Sequence, residues 1–343
     1  MTYLKESNIY WFIFLMALPI SCKKNNLPVI APILRTEKTP HDTDDPAIWV
    51  NSSTPEESII FGTDKDVNNG GVYAFDLNGQ IIDNKSITGL SYPNNLDVSY
   101  GFELNDSTVI DLLAFTEREK NQIRLFSVPG MQMLDKGGIK VFKDEKEPAL
   151  RRPMGIAFYR DPTSLETHIV ISRKEGPLKN YLYQYKLNTD GKEVSMTLIR
   201  RFGEFSGKKE IEAIAVDNEL GYIYYSDEDH CIRKYYADPE KGNEEIGCFG
   251  GEYFNRDIEG IAIIKYSDNK GYIIVSNQQA HSFSIFDRNS NAYVKEVNLG
   301  TIETDGCDAT TLPLGAKYPN GLFVSMTDSK EFLYHDLEKI LSH

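Results

Sequence analysis

Lys65, Arg118 and Lys174 each follow an apolar run, and so do Glu228, Gln278 and Asp328 later in the chain. A second set, Asp45, Asn95, Met154, Glu212, Glu259 and Asp305, instead precedes runs of small or β-branched residues. The charge is segregated: the basic members come early, while Glu212, Glu228, Asp257, Glu259, Gln278 and Asp305 cluster late. Hard oxygen ligands without histidine or cysteine favour calcium or magnesium over zinc or copper. Calcium is the better match, because rigid strand ends and an amide supply the ligands, whereas magnesium keeps most of its waters. An arginine and two lysines facing such a cage suit an anion with several oxygens, most simply phosphate. The two sets together predict phosphoryl chemistry on a polyanionic substrate.

A lone acidic residue at a strand end is ordinarily solvated or caps a turn. Register is what makes this set informative. The second set recurs at intervals of about 46 to 59 residues, the period of a β-propeller blade rather than of a helical solenoid. Each member would open the inner strand of a blade and point towards one axis. Middle strands follow at Ile59-Ile-Phe-Gly62, Val109 to Ala114, His168-Ile-Val-Ile171, Tyr222-Ile-Tyr-Tyr225, Tyr272-Ile-Ile-Val275 and Gly321-Leu-Phe-Val324. Third strands ending in an aromatic run through Val72-Tyr-Ala-Phe75, Ile123-Arg-Leu-Phe126, Leu182-Tyr-Gln-Tyr185, Ile232-Arg-Lys-Tyr235 and Phe283-Ser-Ile-Phe286, most of them followed by turn residues. The expected fold is all-β, a six-bladed β-propeller. Residues such as Val29-Ile-Ala-Pro-Ile33 are expected to add a closing outer strand to the last blade, and only Leu337 to Leu341 has helical character.

A chain of 343 residues with 41% hydrophobic content can bury a large core, and the repeat favours one closed domain. The formal charge of -14 argues against nucleic acid or a polybasic membrane surface as partner. Lys5, the apolar stretch Ile9 to Ile20 and the ending Leu18-Pro-Ile-Ser-Cys22 resemble a bacterial lipoprotein signal, in which the cysteine is lipidated. We therefore expect a signal over 1–22, a tether with the closing strand over 23–40 and the propeller over 41–343. The chain is expected to be exported, held to a membrane only through that anchor, and monomeric. Cys231 and Cys248 flank a turn-rich segment, so a hairpin leaves them either as a cross-strand disulfide or as two buried thiols. Cys307, with no zinc pattern around it, reads as a small core residue.

The strings Asp42-Thr-Asp-Asp-Pro-Ala-Ile-Trp49, Asn94-Asn-Leu-Asp97, Lys174-Glu-Gly176, Asp257-Ile-Glu-Gly260, Glu303-Thr-Asp-Gly306 and Tyr318-Pro-Asn-Gly-Leu-Phe-Val324 resemble the motifs of the β-propeller (alkaline) phytases, in order, from about Asp42 to Asp328. The resemblance implies a calcium-dependent phosphomonoesterase of the 3-phytase type acting on calcium-loaded phytate. It implies that Lys65, Arg118 and Lys174 contact phosphate. It implies further that Glu212, Glu228, Asp257, Glu259, Gln278 and Asp305 hold calcium, with Asp44 and Asp45 close by, and that Glu212 and Glu259 belong to the catalytic set. Two positions depart from the family pattern: Asp66 stands where a second lysine is common, and Met154 replaces an active-site tyrosine.

On this reading metal-held carboxylates neutralise the substrate and position water for in-line attack, while the basic residues stabilise the developing charge. His41, His168, His230 and His281 fall outside the matched strings, which speaks against a phosphohistidine route. Two other readings stay open. One is a metal-dependent propeller hydrolase of another class, such as a lactonase, which would not need the basic arc. The other is a calcium-filled surface propeller that binds glycan or protein without catalysis.

Overall fold

The computed structural model describes residues 27–342, so the signal expected over 1–22 and the first residues of the tether lie outside the described residues. Within them the strands form six four-stranded antiparallel sheets, the six blades of a propeller. The inner strands are Thr43–Trp49, Pro93–Asn105, Pro153–Arg160, Ile214–Asp217, Ile258–Lys265 and Cys307–Thr310. The second strands are Ile59–Asp64, Thr108–Glu117, Thr167–Arg173, Tyr222–Asp227, Gly271–Asn277 and Leu322–Thr327. Ile59–Asp64, Thr167–Arg173 and Leu322–Thr327 are buried at every position, as strands with another blade on each face must be. Their runs are accordingly continuous rather than alternating.

Six apolar clusters fill the gaps between neighbouring blades. Leu112, Ile123, Phe158 and Ile171 pack between blades two and three, and Ile60, Phe75, Val324 and Phe332 between blades one and six. The ring is closed by Leu34–Arg35, which pairs antiparallel with Glu331–Asp336. The pairing starts later than the expected Val29 to Ile33 segment, whose first residues instead meet blade five: Val29 bridges Asn298, and Ile30 N–H donates to Asn298 O at 2.8 Å. Ile33 N–H makes the first bond of the pairing, to Tyr334 O at 2.8 Å. After the last strand a short helix, Leu337–Ser342, buries Leu337 and Ile340 between blades five and six.

Four of the inner strands share an irregularity that sets up the site. In blade one Thr43 pairs with Asp64 and Pro46 with Gly62; the same offset separates Pro93 from Leu96, Pro153 from Ile156 and Ile258 from Ile261. Blades one, two, three and five thus each carry one extra residue, a β-bulge, where the strand leaves the mouth of the ring, whereas the inner strands of blades four and six pair without a shift. Second-strand hydroxyls cap the freed backbone groups: Thr63 Oγ1 accepts from Asp45 N–H at 2.9 Å and Ser172 Oγ from Gly155 N–H at 2.9 Å. Thr116 and Ser172 also donate to the backbone of the next blade, at Met154 O (2.8 Å) and Ile211 O (2.7 Å). Blades come so close here that a Cβ on Gly155 would lie 1.8 Å from Glu212 O.

Candidate active site

The bulge points two adjacent side chains in opposite directions. Aligning the pairings puts Asp44, Asn94, Met154 and Glu259 in the same position of blades one, two, three and five. Glu212 and Asp305 stand just ahead of the inner strands of blades four and six. Asn94, Met154, Glu212, Glu259 and Asp305 line one opening of about 230 Å³. Asp45 and Asn95, expected from sequence at the mouth, instead line the larger cavity of the central channel. The expectation for these two is corrected by one residue, because the bulge places the preceding Asp44 and Asn94 at the mouth. Asp45 is spent on structure: its Oδ2 accepts the N–H of Leu96 at 3.1 Å. Asp97 likewise accepts the N–H of Phe158 in the next blade at 2.7 Å.

The second ring arrives from the ends of the second strands. Lys65, Arg118, Lys174, Glu228 and Gln278 line the same opening, joined by Asp257 from the loop before blade five. Asp328 does not line it. The expected division into a basic and an acidic half is only partly kept. Lys65 Nζ reaches across to Asp44 Oδ1 (3.0 Å) and Asp305 Oδ2 (2.5 Å). Asn94 Nδ2 donates to Asp44 Oδ2 at 2.6 Å and to Glu212 Oε1 at 2.8 Å. Gln278 donates to Asp305 Oδ1 at 2.5 Å, and Gln279 to Asp257 Oδ2 at 2.6 Å. Arg118 is buried, its guanidinium 3.6 Å from the centre of the Tyr92 ring and Nη1 3.1 Å from Met154 Sδ.

Three residues of the opening are not among those expected from sequence: Tyr92, Lys209 and Glu210. Tyr92 holds a left-handed backbone at φ 56°, uncommon for a residue of its size and a mark of a constrained site. Glu210 pairs with Lys174 at 2.5 Å, and Lys209 with Asp257. The one signal available in sequence was that Lys208-Lys209-Glu210 sits immediately before the Ile211-Glu212 motif.

Electrostatically the acidic cluster is overfull. Burial, and after it the charge of Asp44, holds Glu212 well above the carboxylate range; burial and then Glu228 do the same to Glu259. Burial followed by the charge of Glu210 pushes Glu228 up to about 8, and burial, against the pull of Lys65, pushes Asp305 up to about 7. Burial alone would lower Lys65, but Asp44 and Asp305 outweigh it and hold the ammonium above its ordinary value. Two groupings, Glu210 with Glu212 and Glu228, and Glu228 with Asp257 and Glu259, bring carboxylate oxygens within 4.8 Å of one another. Glu228 Oε1 and Glu259 Oε2 are buried without a hydrogen-bond partner. Buried carboxylate oxygens aimed into one opening and left unpaired fit a hard divalent cation bound among them.

The chain resembles known proteins in sequence and in fold. A family model described as Phytase matches residues 28–332. A 3-phytase of Bacillus subtilis (strain 168) is 30% identical over 297 residues, covering 82% of this chain and 73% of the relative. Among solved structures, the WD40 β-propeller domain of Doa1 superposes with a TM-score of 0.52 at 10% identity, over 86% of this chain and 79% of that one, a likeness of fold alone.

Proposed function

The chain belongs to the phytase family, and on that premise we propose that it is a calcium-dependent phosphomonoesterase releasing phosphate from phytate. The observation that carries the reading is the meeting, in one opening, of the unpaired oxygens of Glu228 and Glu259 with Lys65, Arg118 and Lys174. Glu212, Glu228, Asp257, Glu259, Gln278 and Asp305 would hold the metal, with Asp44 beside them. Calcium bound there would polarise the phosphoryl group and acidify water.

The chain's own residues account for recognition. Lys174 on the rim and Arg118 behind it offer hydrogen bonds to phosphoryl oxygens, and the planar guanidinium can take two at once. Its unpaired, buried Nε keeps a donor in reserve. Water attacks phosphorus in line, the P–O bond to the inositol carbon skeleton breaks, and the alcohol leaves with a proton; no covalent enzyme intermediate is formed. Stabilising the charge on the transferring group is the share of Lys65, Arg118 and Lys174. A neutral ester would have no use for this basic arc, which favours the phosphatase reading over a lactonase.

The Cys231–Cys248 disulfide supports an exported, oxidising setting for a monomer tethered through Cys22. Phosphate release from phytate, measured with calcium, after chelation and after calcium is restored, tests the reading. Chelation should abolish release and calcium restore it, while Glu259→Gln stays inactive throughout. Full-rate release by the stripped wild-type protein would refute it.

A further inference from the structure

Lys209 comes from the loop between the outer strand of blade three, Val194–Glu204, and the inner strand of blade four, and it belongs to neither ring of the repeat. Its ammonium contacts the Asp257 carboxylate and lies 3.5 Å from Glu228 Oε2. Glu228 is common to both carboxylate groupings able to hold a metal. A divalent cation entering either grouping therefore shares the Glu228 carboxylate with the Lys209 ammonium, which lies beside its other oxygen. One monovalent ammonium leaves the cluster short of positive charge, as the unpaired Glu228 Oε1 and Glu259 Oε2 show.

Lys209 is also built to leave. Its side chain is 35% exposed, against 17% for Lys65, which is pinned between blades one and six. Its neighbour Lys208 donates to the backbone oxygen of Asp229 at 2.6 Å and ties the loop down, so the Lys209 side chain can swing out while the backbone stays. A lysine stem of four flexible carbons makes that withdrawal a change of rotamers.

Resting on the calcium reading of the site, we propose that Lys209 is a tethered competitor of the metal. It neutralises Asp257 and Glu228 when calcium is scarce, must vacate them on loading, and so raises the calcium concentration at which the site fills. The device keeps the carboxylates of the empty site from driving one another apart, and it makes occupancy responsive to calcium supply.

The test is calcium titration of the substrate-free, full-length protein, followed by melting temperature and by calorimetry. Lys209→Met should lower the half-saturating calcium concentration about tenfold, the scale expected for removing one close charge from a partly solvated site. Lys208→Met removes the same charge one residue away and should shift it by less than about twofold. Lys209→Arg keeps the charge and should stay near wild type. Equal affinity of Lys209→Met and wild type overturns the proposal, and so does equal tightening by Lys208→Met. A wild-type protein that binds no calcium at all would instead overturn the calcium reading itself.

Discussion

Lys65 Nζ, from blade one, lies 2.5 Å from Asp305 Oδ2, from blade six. The first and last blades are thereby joined at the mouth by an ion pair whose other arm is Asp44, 3.0 Å away. A residue that sequence reasoning assigned to phosphate is also the counter-ion of the acidic cluster, and both roles depend on one ammonium.

Lys65→Met should therefore fail twice. Phosphate release from phytate is expected to fall by about a hundredfold or more, the size seen when a preorganised charge is removed from a transition state. The calcium-free protein should also melt earlier, because the buried Asp44 carboxylate loses its cation. Steady-state kinetics and thermal melts in chelator check the two losses separately. Wild-type kcat/KM in this variant would remove Lys65 from the phosphate site.

Without calcium, stability should fall as pH rises from about 6.5 to 8. Glu228, raised to about 8, and Asp305, raised to about 7, bind protons more tightly folded than unfolded. The folded state then holds the extra protons, and ionising the groups disfavours it. His335, lowered by burial to about 3, and His168, also lowered by burial, act with the opposite sign, but their contribution levels off once pH passes the unfolded imidazole's value of about 6.5. Melting temperatures across that range in chelator should decline, and saturating calcium should remove the share owed to Glu228 and Asp305 while leaving that of Asp97, which burial raises to about 7. Profiles that decline equally with and without calcium would mean the cluster is not overfull.

Tyr92→Leu should lower kcat/KM for phytate about three- to thirtyfold, by taking away the ring that faces the Arg118 guanidinium. Tyr92→Phe keeps the ring and should behave as wild type. If the leucine and phenylalanine variants fall together, the phenolic oxygen rather than the ring is what matters.

The double substitution Cys231→Ser with Cys248→Ser should cost about 3 kcal/mol of stability, the chain-entropy value for a short loop. The bridge spans a separation of 17 residues and does not line the mouth, so activity at low temperature should persist. Denaturant titration, with and without reductant, measures the cost.

The propeller was legible because each blade buries its strands on both faces, which writes long apolar runs at a regular spacing. Met154, Glu212, Glu259 and Asp305 were read in the right phase, since each stands as a single candidate before its run. Blades one and two offered doublets, Asp44-Asp45 and Asn94-Asn95, and apolar periodicity cannot say which member a bulge turns outward. The extra residue shows only in the pairing of Thr43 with Asp64 and Pro46 with Gly62. Lys209 and Tyr92 were missed for a different reason. They reach the mouth from connecting loops, whose sequences carry no period, and only the closed ring brings Lys209 against Asp257.

The closing strand has a consequence in time. Leu34 meets Tyr334, so one of the earliest described residues completes a sheet with one of the last. Five blades can assemble from strands that follow one another along the chain, but the sixth waits until nearly the whole polypeptide has been made. Until then Leu34–Arg35 is an unpaired strand at one end of an open arc. A chain released before Glu331–Asp336 would leave Leu34–Arg35 without its partner and the ring without its closure.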